Sequence, residues 1–251
     1  MKKCAYCGSP SQPTKEHIWP KNLISKNEMT QTYNPKKNKF FPSEPVVKDV
    51  CVTCNNERLS IVDGYLSDLY ENNFKEIIKA GSSATLNYNY DPLLRSLLKI
   101  SYNSARAFGN KKNIKALEQY SKYILNGGYA PRVMLRLQIV TSSTSINLDT
   151  GETGNFSPEI FRSATIPYEK ELSHRFLIRL VAINSYWFYI IIPFRSEPPH
   201  KWREMLSGFS NWRLQPGIIV EPGKNYMHIP ANKTTYFDPR LLGPLLNAEL
   251  T

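Results

Sequence analysis

The sequence has little of what builds a secreted scaffold or a membrane protein. Only four of its 251 residues are cysteine, too few for a dense disulfide framework, so they are incidental, bridged or metal ligands. Acidic side chains are scarce. The 21 Asp and Glu face 32 Lys and Arg, a formal charge of +11, which points to a polyanionic partner such as nucleic acid or an anionic membrane surface. No apolar run follows Met1-Lys2-Lys3, where Cys4, Tyr6, Cys7 and Gly8 stand instead; without a secretory pattern, a cytoplasmic location is expected. The one stretch that resembles a membrane span, Phe176 to Phe194, carries Arg179, the polar pair Asn184-Ser185 and Pro193. It reads as a buried β-hairpin, and no membrane partner is expected. Neither an internal repeat nor a long low-complexity tract is present. With 41% apolar and 21% charged residues, the composition is that of a globular chain rather than a disordered or fibrous one.

All four cysteines fall within the first 60 residues, a polar, Lys/Asn/Pro-rich stretch with no periodic apolar pattern. Such a segment has no hydrophobic core of its own. From Leu59 the pattern changes: Leu59, Val62, Leu66, Leu69, Tyr70, Phe74, Ile77 and Ile78 recur at helical spacing, predicting a helix from near Asn55 toward Ala80, with a break near Gly64 allowed for. Asp91-Pro92 opens a second helix through Leu94, Leu97, Leu98, Ser101, Ala105 and Phe108, since proline suits a first turn. A third is expected over Asn113 to Leu125, ending at Gly127-Gly128. Beyond Pro131 the period becomes two, giving a strand over 133–140, the hairpin of 175–192 and a further strand at Gly217–Val220. Asp238-Pro239 followed by Leu241, Leu242, Leu245 and Leu246 predicts a closing helix. The expected fold class is α+β.

Cys4-Ala-Tyr-Cys7 and Cys51-Val-Thr-Cys54 are two CxxC pairs that use every cysteine. Two intervening residues let both thiolates of a knuckle turn onto one metal, and two knuckles complete a tetrahedral four-cysteine zinc site. A redox CxxC, or chance, is the alternative. The 43 residues between the pairs exceed the span of a simple zinc ribbon, so something is inserted. The insertion contains Lys15-Glu16-His17-Ile18-Trp19-Pro20, and the second pair runs into Asn55-Asn56-Glu57-Arg58-Leu59-Ser60.

This order, CxxC, then EHIxP, then CxxCN, resembles the HNH endonucleases of the ββα-metal fold, over roughly residues 4 to 63. The resemblance implies an N-terminal HNH nuclease domain, placed over 1–80, with a structural Zn²⁺, preceding a larger domain; the apolar periodicity makes that domain, over 81–251, α+β with helices at about 91–126 and a β-rich part at about 131–220. The resemblance also implies a metal-dependent endonuclease acting on DNA, with RNA left open as substrate. Phosphodiester hydrolysis needs a deprotonated water and a cation on the phosphoryl group. An imidazole, with an ordinary pKa of about 6.5, suits the first task. By the resemblance His17 is the general base, while Glu16 and Asn55 hold one Mg²⁺ or Mn²⁺, ions that favour hard oxygen ligands. At an irregular strand end both Glu16 and His17 can approach one phosphate. Two positions depart from the family pattern: Val46 stands where many members carry a loop-bracing Asn, and Leu59 where many carry a further helix ligand. Asp63, two helical turns beyond Asn55, is the next candidate for the metal shell.

Each assignment has a plainer counterpart. Glu16 can pair with Lys15 or Arg58, Asn55 can serve only as a helix cap, and Asp63 can face solvent. His174, His200 and His228 have no partners at metal spacing. The clusters Lys36-Lys37-Lys39 and Lys111-Lys112-Lys115 are surface residues that also suit phosphate contacts. Phe40 and Phe41 stack on a base or anchor their loop, and Trp202, Trp212 and Arg213 are unassigned. The competing functions are a non-catalytic zinc-dependent nucleic-acid-binding protein, and an effector of a bacterial defence or mobile-element system held silent by a regulatory partner. Double-strand cutting with one centre per chain would favour a homodimer.

Overall fold

The computed structural model of the chain describes residues 2–25, 32–34, 37–41, 45–108, 111–167, 172–210 and 217–231. The closing helix expected after Asp238 lies outside them, as do Lys36, Trp212 and Arg213. The described residues mix helices and strands in an α+β arrangement. They fall into two compact units: one formed by Met1–Glu71 and Asn89–Val133, the other by Asn72–Tyr88 and Met134–Gly243. This discontinuous division does not follow the boundary drawn at residue 80. The helices at 90–126 belong with the cysteine-bearing segment.

In the first unit, β1 (Pro13–His17) pairs antiparallel with β4 (Val46–Cys51). A bulge between Thr14 and Glu16 precedes a regular register of Glu16 with Val47 and His17 with Val46. Between the two strands lie a short helix, α1 (Lys21–Ile24), and a hairpin of β2 (Thr32–Asn34) and β3 (Lys39–Phe41). The hairpin is held by Tyr33 packing on Phe40, with ring centroids 5.4 Å apart, so Phe40 acts as an anchor. After β4 the chain runs through a π-helical turn, Cys54–Leu59, into α2 (Ser60–Leu69). Leu59, Val62, Leu66 and Leu69 are buried, as their spacing predicted.

Helix α3 (Tyr90–Phe108) is the spine of this unit, with twelve residues buried from Leu93 to Ala105. Ser96 ties it to α2 through a 2.8 Å bond to the Val62 carbonyl. The third predicted helix is two, α4 (Lys111–Glu118) and α5 (Ser121–Asn126). Tyr120 breaks it: its N–H tightens onto Leu117, and its buried side chain reaches back to the Pro131 carbonyl. Gly127, at φ 72°, closes α5; Arg95 satisfies the carbonyls of Ile124 and Leu125, both at 2.9 Å.

In the second unit, β6 (Met134–Ile139), β9 (Phe161–Thr165), β10 (Phe176–Ile183), β11 (Tyr186–Pro193) and β12 (Ile218–Ile219) form an antiparallel sheet in the order β12-β6-β11-β10-β9. The hairpin at 175–192 is present as β10 and β11, turning at Asn184 with φ 50°. Every residue of both strands is buried, which explains a run apolar enough to resemble a span. On one face α6 (Pro199–Ser210) packs through Met205, and Trp202 meets Phe176 at 5.0 Å. On the other, Phe74 stacks against Tyr186 and Phe188. Two small pairs complete the unit, β5 (Ala84–Asn87) with β13 (Tyr226–Ile229) and β7 (Ser143–Ile146) with β8 (Thr153–Phe156). The helix expected to reach Ala80 instead ends in a π-helical turn at Tyr70–Phe74. Asn184 takes the Phe74 carbonyl at 2.9 Å and Ser185 takes the Ile78 N–H at 2.9 Å, so the backbone is satisfied without another helical turn. Among the described residues no helix is long and apolar enough to cross a membrane.

Candidate metal centre and the His17 segment

The four cysteine sulfurs lie within 4.8 Å of one another, with Cys7 Sγ and Cys51 Sγ 3.8 Å apart. Zinc–sulfur bonds of about 2.3 Å place the corners of a tetrahedron about 3.8 Å apart. The spacing is far too long for a disulfide, whose sulfurs sit about 2.05 Å apart. The Cys51 N–H points at Cys4 Sγ and the Cys54 N–H at Cys51 Sγ, both at 3.4 Å, which is how a knuckle supports buried sulfur charge. A hydrogen bond from Ser9 draws the Cys7 thiol down from its ordinary 9.0 to about 6. Burial pushes Cys51 and Cys54 up. Four converging thiols of which three are buried can hold a metal ion such as zinc, whose charge offsets that burial.

The cluster also fixes what flanks it. Cys51 ends β4 and Cys54 opens the helical turn that carries Asn55. Asn55 does not cap the helix. Its Nδ2 donates to Thr14 Oγ1 and to the Lys15 carbonyl, both at 2.9 Å, clipping the helix start onto β1 at the bulge. Thr14 in turn donates to the Val50 carbonyl at 2.8 Å.

Glu16 and His17 come after the bulge at regular strand positions, so their side chains leave opposite faces. Glu16 is 3% exposed, while His17 at the strand end is half-buried. The irregular strand end that would let both approach one phosphate is not seen in the register, where the bulge falls before Glu16 and the pairing stays regular through His17. Glu16 meets neither Lys15 nor Arg58: its Oε1 lies 2.7 Å from the fully buried Lys99 Nζ, and Arg58 is bonded to Asn126. Asp63 meets the same ammonium, with Oδ1 at 2.9 Å. Glu16 and Asp63 are thus brought together, but they converge on a lysine, while the Asn55 side chain is bonded to Thr14 and to the Lys15 main chain.

Two carboxylates around one cation leave a net negative charge in a buried place. The two acids accordingly hold the Lys99 proton more firmly than usual against the opposing effect of burial. Burial, with the Asp63 charge, raises the Glu16 carboxyl above its ordinary range despite Lys99.

One turn beyond Lys99, Asn103 Nδ2 donates to the His17 carbonyl at 3.1 Å and to Glu16 Oε1 at 3.4 Å. Its Oδ1 receives the Tyr6 hydroxyl at 2.6 Å and Arg106 at 3.0 Å. Arg106 lies over the Tyr102 ring at 4.1 Å and the Tyr6 ring at 5.1 Å, and pairs with Asp49 at 3.1 Å. Lys99, Asn103, Arg106 and Tyr6 were not singled out from the sequence. The signal was present: Lys99, Asn103 and Arg106 stand at i, i+4 and i+7 among the apolar positions of α3.

The donor set does not fit the Mg²⁺ or Mn²⁺ expected at Glu16, Asn55 and Asp63. Both carboxylates already surround a fixed ammonium, which would repel a second cation, and Asn55 alone offers a single neutral oxygen. Comparison of the chain with family models, curated proteins and solved structures returned no match.

Proposed function

We propose that this chain is a zinc-braced endonuclease of the HNH type that hydrolyses phosphodiester bonds in DNA, with His17 as the general base. The observation that carries this reading is the four-cysteine cluster, which joins the end of β4 to the helical turn whose Asn55 is clipped onto β1, the strand bearing His17. An antiparallel pair followed by a helix, braced by structural zinc, is the arrangement the resemblance implies. A basic chain supports it too: residues 1–60 hold ten Lys and Arg against five Asp and Glu, a charge that draws a polyanion.

In the reaction, His17 takes a proton from water as the water oxygen bonds to phosphorus. The P–O3′ bond breaks, and the departing 3′-oxygen takes a proton from solvent, giving a 5′-phosphate and a 3′-hydroxyl. Lys99 and Asn103, bonded to the His17 carbonyl, hold the main chain from which the imidazole projects, since small misplacements of a catalytic group cost rate. Plasmid nicking by the full chain and by His17→Ala, with and without added Mg²⁺ or Mn²⁺, tests the assignment. The variant should lose at least 100-fold in rate, about the usual worth of a general base; undiminished cleavage by the variant overturns it.

The closure of Glu16 and Asp63 by Lys99 favours a second reading, a zinc-dependent nucleic-acid-binding protein without catalysis. Salt-sensitive DNA binding with no cleavage by the native chain, with or without added metal, selects it.

A further inference from the structure

Lys99 has no exposed side-chain surface, and its three ammonium protons have three destinations. Nζ lies 2.7 Å from Glu16 Oε1, 2.9 Å and 3.0 Å from the two Asp63 oxygens, and 2.9 Å from the His17 carbonyl. Two carboxylates and a carbonyl converging on one point is the surrounding a hard divalent cation would take. Here that point is occupied by nitrogen at hydrogen-bond distances. A divalent ion would have to displace the ammonium from both of its carboxylates, and Asp49, the other acid described against this part of α3, is already paired with Arg106, so a buried unpaired charge would be left.

We propose that Lys99 is the resident cation of this centre. It stands between Glu16 and Asp63 where a divalent metal would otherwise sit, and together with Asn103 it positions the main chain of His17. Both residues act through the His17 carbonyl, so they are positioning residues rather than catalytic ones. Asn103 extends the brace to the first cysteine knuckle, because Tyr6, between Cys4 and Cys7, donates to it at 2.6 Å. The cysteine-bearing turn and the His17 segment are therefore joined through one side chain of α3, Asn103. The part of this inference that concerns what His17 does rests on the nuclease reading. The ionic arrangement does not, and its test uses no DNA.

The experiment uses the full chain purified with zinc. Manganese binding is followed by the electron paramagnetic resonance of free Mn²⁺, for the native chain and Glu16→Gln. No binding, or binding equal in the two proteins, is expected; a stoichiometric Mn²⁺ site in the native chain that Glu16→Gln abolishes overturns the proposal. Lysine side chains labelled with ¹⁵N are observed in the native chain and in Lys99→Met. One slowly exchanging ammonium resonance, lost in the variant, is expected. If every lysine ammonium of the native chain exchanges as fast as an exposed one, the proposal is likewise overturned. The positioning role is read from the His17 carbonyl ¹³C resonance in Asn103→Ala, which keeps the ion pairs. Loss of a donor should move it upfield, and an unmoved resonance removes Asn103 from the brace. Because none of these readouts needs cleavage, a chain that fails to cut DNA leaves their outcome intact.

Discussion

The Tyr6 hydroxyl donates to Asn103 Oδ1 at 2.6 Å, across 97 residues of sequence. Tyr6 is one of the two residues inside the first cysteine pair, and Asn103 is the residue whose amide reaches the His17 carbonyl. Removing the hydroxyl tests how much of the site's rigidity passes along this bond. Tyr6→Phe keeps the ring against Tyr102, with centroids 5.4 Å apart, but leaves a buried acceptor served only by Arg106. The expected cost is about 1 kcal/mol, at the lower end for a lost buried hydrogen bond, read as a lower denaturant midpoint with unchanged slope.

Lys99→Met should be far more damaging. It leaves Glu16 and Asp63 facing each other without a counter-ion, and removing one partner of a buried pair costs about 3–5 kcal/mol. Adding Glu16→Gln to the same chain should recover part of that loss, because the uncompensated charge goes with it. Urea unfolding of the single and double variants checks both statements. A double variant no more stable than Lys99→Met would show that the ion pair is not the source of the loss.

Zinc removal should act through the same unit. The first 60 residues bury Tyr6, Ile18, Trp19, Leu23, Val47 and Val50 but contain no long helix of their own, and the cysteines pin both ends of the segment, so metal binding should add to the free energy that orders it. Cys54→Ser is expected to lower zinc content from one per chain and to expose the segment around His17 to limited proteolysis. The strands of the second unit, whose core contains none of the cysteines, should remain resistant. Zinc-independent proteolysis would contradict this.

Alkaline pH should weaken the first unit once it passes the ordinary tyrosine and lysine values, about 10 and above. The unfolded chain releases the Lys99 proton near its ordinary 10.5 and the Tyr6 proton near 10.0. In the folded chain both values are raised, Lys99 by Asp63 and Glu16 against burial, and Tyr6 by burial itself. The folded state therefore binds more protons across that range, and stability falls as pH rises through and above it. The unfolding midpoint should be level from pH 8 to about 9.5 and then decline. Tyr6→Phe should decline less steeply than the native chain.

Local pattern made part of this legible from the sequence. Two CxxC pairs with two-residue spacing announce a metal cluster because geometry within each turn is set by neighbouring residues, and the structure brings the four sulfurs together. The helix opened by Asp91-Pro92 and the hairpin turning at Asn184-Ser185 were equally readable, since 3.6- and two-residue periodicities are properties of the chain itself. Features that depend on contact between distant segments were not. The helical stretch that begins after Cys54 stops at Phe74 because Asn184 takes its carbonyl, and the break at Tyr120 depends on the carbonyl of Pro131.

The composition, the spacing of cysteines and the apolar periodicity thus determined that the chain carries a metal-ready cluster, a net positive charge and an α+β set of elements. Only the tertiary structure decided where the charges of Glu16 and Asp63 are spent. A carboxylate next to a histidine reads as a metal ligand when its neighbours in sequence are all that is known. A lysine 83 residues further on, carried in by a helix the sequence placed in another domain, changes that meaning. The physical reason is that a buried charge takes its role from whichever opposite charge packing delivers, and packing is fixed by the whole unit rather than by the segment that carries the residue.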